Sequence, residues 1–93
     1  MIDLEWTEPA LRRLREIRDH VAQDKPDAAE RLSMRIVAVV EALRTYPYLG
    51  RAGVTSGVRE LVIGGTPYIV NYRTRRTGIR ILTIWHGAQR RIP

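Results

Sequence analysis

The spacing of apolar residues changes once along this 93-residue chain, and that change restricts the possible folds more than any other feature. Between residues 10 and 43, apolar side chains recur at helical spacing with charged residues between them, which is typical of helices with one buried face. From residue 58 to residue 86 the period becomes two, which is typical of strands. The sequence therefore predicts helices from the first half packed on a sheet from the second half.

Two helices and a short preceding strand are predicted in the first half of the chain. Residues 2–6 alternate between apolar and acidic side chains, as a strand with one buried face does. Thr7 and Pro9 are typical of a helix start, and Asp24 indicates a cap for the second helix. Only a few residues separate the helices, which predicts an antiparallel hairpin, and Pro47 requires the second helix to end before it.

Three strands are predicted in the second half, over residues 58–63, 68–73 and 79–86, with turns at 64–67 and 74–78. Consecutive strands joined by short turns form an antiparallel meander. The predicted fold class is α+β: a short N-terminal strand, an antiparallel two-helix hairpin and a three-stranded antiparallel meander, with the helices on one face of the sheet. The length predicts one domain over residues 1–93.

The two faces of the predicted sheet are both partly apolar. Strict alternation divides the last strand into two sets, namely Ile79, Ile81, Thr83 and Trp85 on one face and Arg80, Leu82, Ile84 and His86 on the other. Two helices can cover only one face, so the other is expected to expose apolar side chains among arginines. A surface of that kind is typical of a protein-binding site.

The net charge of +6 is distributed unevenly along the chain. Residues 1–47 carry eight basic and nine acidic side chains, whereas residues 48–93 carry eight arginines and one acid, Glu60. The excess positive charge therefore lies in the second half. It predicts an anionic partner for the sheet, either an acidic protein segment or nucleic acid.

Several classes of protein are disfavoured by composition. No apolar stretch approaches the ~20 residues that span a bilayer. The N-terminus lacks the pattern of a signal peptide, and cysteine is absent, so a cytoplasmic location is expected. Two separated histidines do not match the usual spacing of metal ligands, and no phosphate-binding glycine motif is present, so no metal and no cofactor are expected.

His86 is the side chain with the clearest catalytic potential. It ends the last predicted strand and precedes Arg90 and Arg91, so it could transfer a proton at a phosphodiester while arginines stabilise the charge. The alternative is that His86 only packs at the strand end. His20, near the end of the first helix, is expected to be structural or solvated.

Five segments occur in a characteristic order, namely residues 2–11, Tyr46-Pro47-Tyr48-Leu49-Gly50-Arg51, Val58-Arg59-Glu60-Leu61, Tyr68-Ile69-Val70-Asn71-Tyr72-Arg73 and Ile81-Leu82-Thr83-Ile84-Trp85-His86-Gly87-Ala88-Gln89-Arg90. Together they resemble the RelE/ParE family of toxins from bacterial type II toxin–antitoxin modules. The resemblance covers nearly the whole chain. It implies a small, basic, growth-arresting and plasmid-stabilising toxin that forms a hetero-oligomer with an acidic antitoxin.

The resemblance leaves two targets open. RelE-like members cut messenger RNA on the ribosome, whereas ParE-like members poison DNA gyrase. The chain lacks the lysine cluster of RelE members, since Lys25 is its only lysine. Its Trp85-His86-Gly87-Ala88-Gln89-Arg90 ending is closer to ParE-like members and to those loosely named RelE/StbE. We therefore expect a gyrase inhibitor rather than an enzyme, with a ribosome-dependent endoribonuclease as the alternative. A non-toxic nucleic-acid-binding module is the third hypothesis.

The resemblance also suggests roles for individual residues. If the chain is a ribonuclease, the catalytic residues are His86, Arg59 and Arg80. Binding of the target or of phosphate is expected at Arg51, Arg73, Arg90 and Arg91. Contact with the antitoxin is expected at Leu14, Ile17, Leu82 and Ile84.

Overall fold

The computed structural model describes residues 2–87, which form two helices and a five-stranded mixed sheet. The helices are α1 (Glu8–Ala22) and α2 (Pro26–Glu41), and a 3₁₀ turn at Ala42–Arg44 follows α2. The strands are β1 (Asp3–Trp6), β2 (Arg51–Ala52), β3 (Val58–Val62), β4 (Tyr68–Thr74) and β5 (Gly78–His86). Their order in the sheet is β1-β5-β4-β3-β2, with β1 parallel to β5 and the other pairs antiparallel. The predicted α+β class and the meander are confirmed.

The start of α1 joins three elements through one residue. Thr7 caps the helix, because its Oγ1 accepts a hydrogen bond from the Ala10 amide at 3.4 Å. The same hydroxyl donates to the carbonyl of Ile81 at 2.7 Å, and the Thr7 amide donates to that carbonyl at 3.1 Å. The predicted cap is therefore confirmed, and it also ties the end of β1 to β5.

The predicted cap at Asp24 is wrong. Lys25 is the residue that precedes α2, and its side chain makes no capping hydrogen bond. The amides of Asp24 and Lys25 both donate to the carbonyl of Val21. Both residues therefore belong to the tight turn that follows α1. Pro26 at the first helical position needs no amide partner, which lowers the cost of an uncapped start.

The core lies between the helical hairpin and one face of the sheet. Ile17, Ile36 and Val40 from the helices pack with inward-facing residues on or next to the three long strands, which are Leu61, Ile63, Val70, Tyr72, Ile79, Ile81 and Ile84. Most of these side chains are fully buried, and each such burial stabilises the fold by roughly 1.5–3 kcal/mol. The side of the sheet away from the helices, here called the open face, is left without a covering helix.

A β-bulge in β5 changes which side chains face the core. Ile81 and Thr83 are opposite consecutive residues of β4, so Leu82 is an extra residue in β5. The extra residue reverses the alternation, and Ile84 and His86 therefore lie on the same side as the buried residues before the bulge. The predicted division of this strand into two faces is wrong beyond Leu82 for that reason.

Strand β2 is not predicted by the sequence. It consists of two residues, and its register pairs Arg51 with Glu60 and Ala52 with Arg59. Two residues are too few to show the alternation that indicates a strand, so apolar spacing does not predict this one. The pairing makes β2 one edge of the sheet, and it anchors the chain that leaves the 3₁₀ turn.

Candidate functional site

Both histidines of the chain line one cavity. The cavity has a volume of about 380 Å³ and lies between α1 and the C-terminal end of β5, lined by Arg13, Glu16, Ile17, His20, Tyr68 and His86. The ring of His86 meets that of Tyr68 edge-on, with centroids 5.6 Å apart and an interplanar angle of 88°. His20 was expected to be structural or solvated, and sequence reasoning missed its place beside His86. The spacing of three residues between Ile17 and His20 predicts that both lie on one side of α1. The sequence does not predict the bulge that turns His86 toward α1, so it does not predict that the two histidines meet.

Arg13 fixes the wall of this histidine cavity. Its Nε donates to the carbonyl of Ile84 at 3.1 Å, and its Nη1 lies 3.6 Å from Oε1 of Glu16. These contacts connect α1 to the part of β5 beyond the bulge. The cavity therefore combines two imidazoles, a guanidinium, a carboxylate and a phenol, which are groups able to donate and accept protons.

Arg59 lies at the other end of the sheet and holds a loop. Its Nη1 donates to the carbonyl of Gly50 at 2.7 Å, and its guanidinium lies 4.8 Å from the ring centroid of Tyr48. The hydroxyl of Tyr72 accepts from the Gly50 amide at 2.8 Å and donates to the carbonyl of Pro47 at 2.9 Å. We call residues 46–50 the aromatic loop.

The hydroxyl of Tyr72 is held in its protonated form by its surroundings. Burial raises the pKa of Tyr72 above its ordinary value of 10.0, and this effect outweighs the Gly50 hydrogen bond and the charge of Arg59, which both lower the pKa. The protonated hydroxyl is able to donate to Pro47 and accept from Gly50 at once. It therefore acts as a fixed support for the aromatic loop.

The predicted phosphate-binding arginines that the structure describes are spread over the open face. Nε of Arg51 lies 3.3 Å from Oε1 of Glu60, whose side chain is only 4% exposed. Nε of Arg80 lies 3.0 Å from Oε1 of Glu5, and Arg80 is directly opposite Arg73 in the sheet. The predictions for Arg90 and Arg91 fall outside the described residues.

The three predicted catalytic residues are not brought together. Arg59 on β3 pairs with Tyr72 on β4, and Tyr72 pairs with Ile81 on β5. His86 lies five residues beyond Ile81 on β5. That separation is about 15 Å along the strand. Arg80 projects from the open face, whereas His86 projects toward α1. No one phosphodiester can contact all three in this conformation.

The four residues expected to contact an antitoxin differ in their accessibility. Ile17 and Ile84 are 2% and 0% exposed and belong to the core, because the apolar stripe of α1 faces the sheet and the bulge turns Ile84 inward. Leu14 and Leu82 are partly exposed. A partner can therefore reach part of Leu14 and part of Leu82, although Leu14 also packs against the core, whereas Ile17 and Ile84 are closed to a partner.

The open face carries an apolar row beside its arginines. Val62, Ile69 and Trp85 are cross-strand neighbours, and Val62 and Trp85 are 49% and 38% exposed. The predicted mixture of apolar and basic side chains on this face is present. Among residues 2–87, no group of three or more potential metal ligands is found, and no described helix is long and apolar enough to cross a membrane.

The family of the chain follows from comparison with known proteins. The sequence model described as "ParE toxin of type II toxin-antitoxin system, parDE" matches residues 4–91. The chain therefore belongs to the ParE toxin family, as the resemblance of its segments predicted.

Individual relatives agree with this assignment. The chain is 46% identical over 86 residues to "Putative toxin Y4kP" of Sinorhizobium fredii, covering 92% of this chain and 88% of that protein. It is 36% identical over 89 residues to "Toxin RelE2" of Caulobacter vibrioides, covering 96% and 99%. A solved structure described as "Chromosomal ParDE TA system from P. aeruginosa" has a TM-score of 0.86 at 30% identity, covering 92% of this chain and 96% of that one.

Proposed function

We propose that this toxin arrests growth by binding and inhibiting DNA gyrase rather than by cutting RNA. One observation carries the proposal: His86, Arg59 and Arg80 are divided between two ends and two faces of the sheet, so they do not form a shared catalytic site. The ParE description of the family supports the choice of gyrase as the target.

We also propose that an acidic antitoxin holds the toxin inactive in a hetero-oligomer. The open face, with its apolar row and its arginines, has the chemistry that an acidic, partly apolar segment would recognise. Leu14 and Leu82 are the predicted contact residues that remain accessible. The similar solved structure is described as a ParDE toxin–antitoxin system, which supports a partner of this kind. The proposed targets place the toxin in the cytoplasm, and plasmid stabilisation is its proposed biological role.

The gyrase proposal is tested with purified proteins and in cells. Addition of the toxin to gyrase and relaxed plasmid should prevent supercoiling, and addition of the antitoxin should restore it. In cells, induction should halt DNA synthesis and trigger DNA-damage signalling before protein synthesis falls. Normal supercoiling at a toxin concentration above that of gyrase would rule the proposal out.

A ribosome-dependent endoribonuclease is the second candidate, and the histidine cavity favours it. Two imidazoles beside Arg13 and Tyr68 could serve as general acid, general base and charge stabiliser at a phosphodiester. In that case His86→Ala should abolish both mRNA cleavage and growth arrest while the melting temperature stays close to that of the wild type. Growth arrest that persists in a stable His86→Ala variant would exclude this role. Because the chain belongs to a toxin family, we do not retain the hypothesis of a non-toxic nucleic-acid-binding module.

A further inference from the structure

The aromatic loop exposes an unusual amount of apolar surface. Tyr46, Tyr48 and Leu49 are 63%, 66% and 52% exposed, so more than half of the accessible surface of each residue is in solvent. These three residues lie within four consecutive positions, and a shallow hollow of about 400 Å³ lies between residues 45 and 49. Clustered exposed apolar side chains mark interaction sites, and tyrosine is among the residues enriched at binding hot spots.

The loop is held rigidly although its side chains point away from the core. Gly50 is bonded through its amide to Tyr72 and through its carbonyl to Arg59, and the Leu49 amide donates to the carbonyl of Tyr46 at 3.1 Å. A Cβ at Gly50 would lie 2.8 Å from the carbonyl oxygen of Glu60 and 2.8 Å from the Tyr72 ring, so only glycine fits. A preorganised loop loses little conformational entropy on binding, which favours affinity.

The charges around the loop indicate the chemistry of its partner. Arg51 follows it directly with a side chain that is 62% exposed, and the guanidinium of Arg59 lies against Tyr48. The nearby acid Glu60 is buried beneath Arg51 and therefore presents little negative surface. A complementary partner has an apolar pocket with carboxylates at its rim.

We propose that the aromatic loop is the element that docks into the target protein, a folded partner with a concave apolar pocket bordered by acidic side chains. The inference rests on the proposed function, in which the toxin acts by binding a protein. A loop with exposed apolar side chains and a hydrogen-bonded backbone suits a folded surface with a pocket.

The test uses a double variant of the loop and a matched double variant elsewhere. Tyr46→Ala with Leu49→Ala removes two exposed apolar side chains from the loop, and Met34→Ala with Val37→Ala removes two from α2, where they are 64% and 38% exposed. Inhibition of purified gyrase, growth arrest, antitoxin binding and melting temperature are measured for each. The loop variant should need about tenfold more protein for inhibition, the cost of losing hot-spot residues, while the α2 variant stays close to wild type.

The outcomes separate this inference from the proposed function. If wild-type toxin inhibits gyrase and the loop variant inhibits it equally, the inference is overturned. Loss of antitoxin binding with growth arrest retained also overturns it, because the loop would then serve the antitoxin. If wild-type toxin leaves gyrase unaffected, the proposed function fails. Growth arrest that is lost in the loop variant, with antitoxin binding retained, would still support docking to another target.

A second variant tests the loop's preorganisation without changing its surface. Tyr72→Phe keeps the buried ring and removes the hydroxyl that bonds Pro47 and Gly50. Faster hydrogen exchange at the Gly50 amide and several-fold weaker gyrase inhibition by the folded variant are expected, since ordering the loop then opposes binding. Unchanged inhibition together with faster exchange would overturn the role given to rigidity.

Discussion

Tyr72 connects the core of this toxin to its surface. Tyr72 is fully buried in the core cluster, while its hydroxyl forms hydrogen bonds with the backbone of Pro47 and of Gly50. Arg59, which the family resemblance makes catalytic only if the chain is a ribonuclease, contacts the same loop through Gly50 and Tyr48. At the residue scale, a buried phenol and a partly buried guanidinium determine the shape of an exposed segment.

Tyr72 should give the stability of the protein a specific dependence on alkaline pH. Because burial raises the pKa of Tyr72 above 10.0, the folded state holds the phenol proton more tightly than the unfolded state does. The stability that depends on this proton is complete below pH about 10 and is lost as pH rises through the folded pKa. The free energy of unfolding of wild type minus that of Tyr72→Phe should therefore be constant near neutral pH and decrease above pH about 10. Urea denaturation over this range measures it, and a constant difference would contradict the prediction.

At the scale of elements, the junction of β1, α1 and β5 shows how local and tertiary bonds combine. Thr7 caps α1 through a bond to Ala10, which the sequence pattern predicts. Its bonds to Ile81 join the helix start to a strand more than seventy residues away, and no local pattern predicts them. Five residues later in β5, His86 reaches the side of α1 only because Leu82 forms a bulge.

Loss of the Thr7 hydroxyl should destabilise the protein more than a helix cap alone would. Thr7→Ala removes the cap and the bond to Ile81, so we expect a loss of about 2 kcal/mol in the free energy of unfolding. Thr7→Ser keeps the hydroxyl and is the matched control, with a much smaller expected loss. Urea denaturation of both variants provides the measurement. Equal stabilities for Thr7→Ala and Thr7→Ser would show that the methyl group, rather than the hydroxyl, matters.

On the scale of the whole molecule, charge is divided between two layers. The helical hairpin is nearly neutral, whereas the sheet and its loops carry the excess of arginine. Arg73 and Arg80 lie side by side on the open face, separated from the apolar row by the pair of Asn71 and Thr83. This arrangement favours capture of an acidic chain on the sheet side and orients it before close contacts form.

Neutralising one arginine of the open face should slow association with an acidic antitoxin. We expect Arg73→Gln to lower the association rate constant several-fold at low salt, and the difference from wild type should shrink as salt rises. Arg31→Gln on the exposed surface of α2 removes the same charge from the other layer and should change the rate little. Stopped-flow mixing at several salt concentrations measures both. An equal effect of the two substitutions would show that only net charge matters.

The sequence alone determined the class of fold and, apart from β2, its α-helices and strands. Apolar spacing located both helices and the three long strands, and Thr7 marked the start of α1, because these depend on contacts between residues close in the chain. The family could also be identified from the sequence, because the characteristic segments follow one another in a fixed order along the chain. The charge asymmetry was visible for the same reason.

Tertiary structure decided which functional groups lie together. The bulge at Leu82 buried Ile84 and turned His86 toward His20, and two-residue β2 fixed one edge of the sheet. The bonds from Tyr72 and Arg59 then held the aromatic loop in place. Each of these depends on a register or a hydrogen bond between residues far apart in the chain. A shift of one residue in a strand exchanges its faces, so local periodicity cannot determine them.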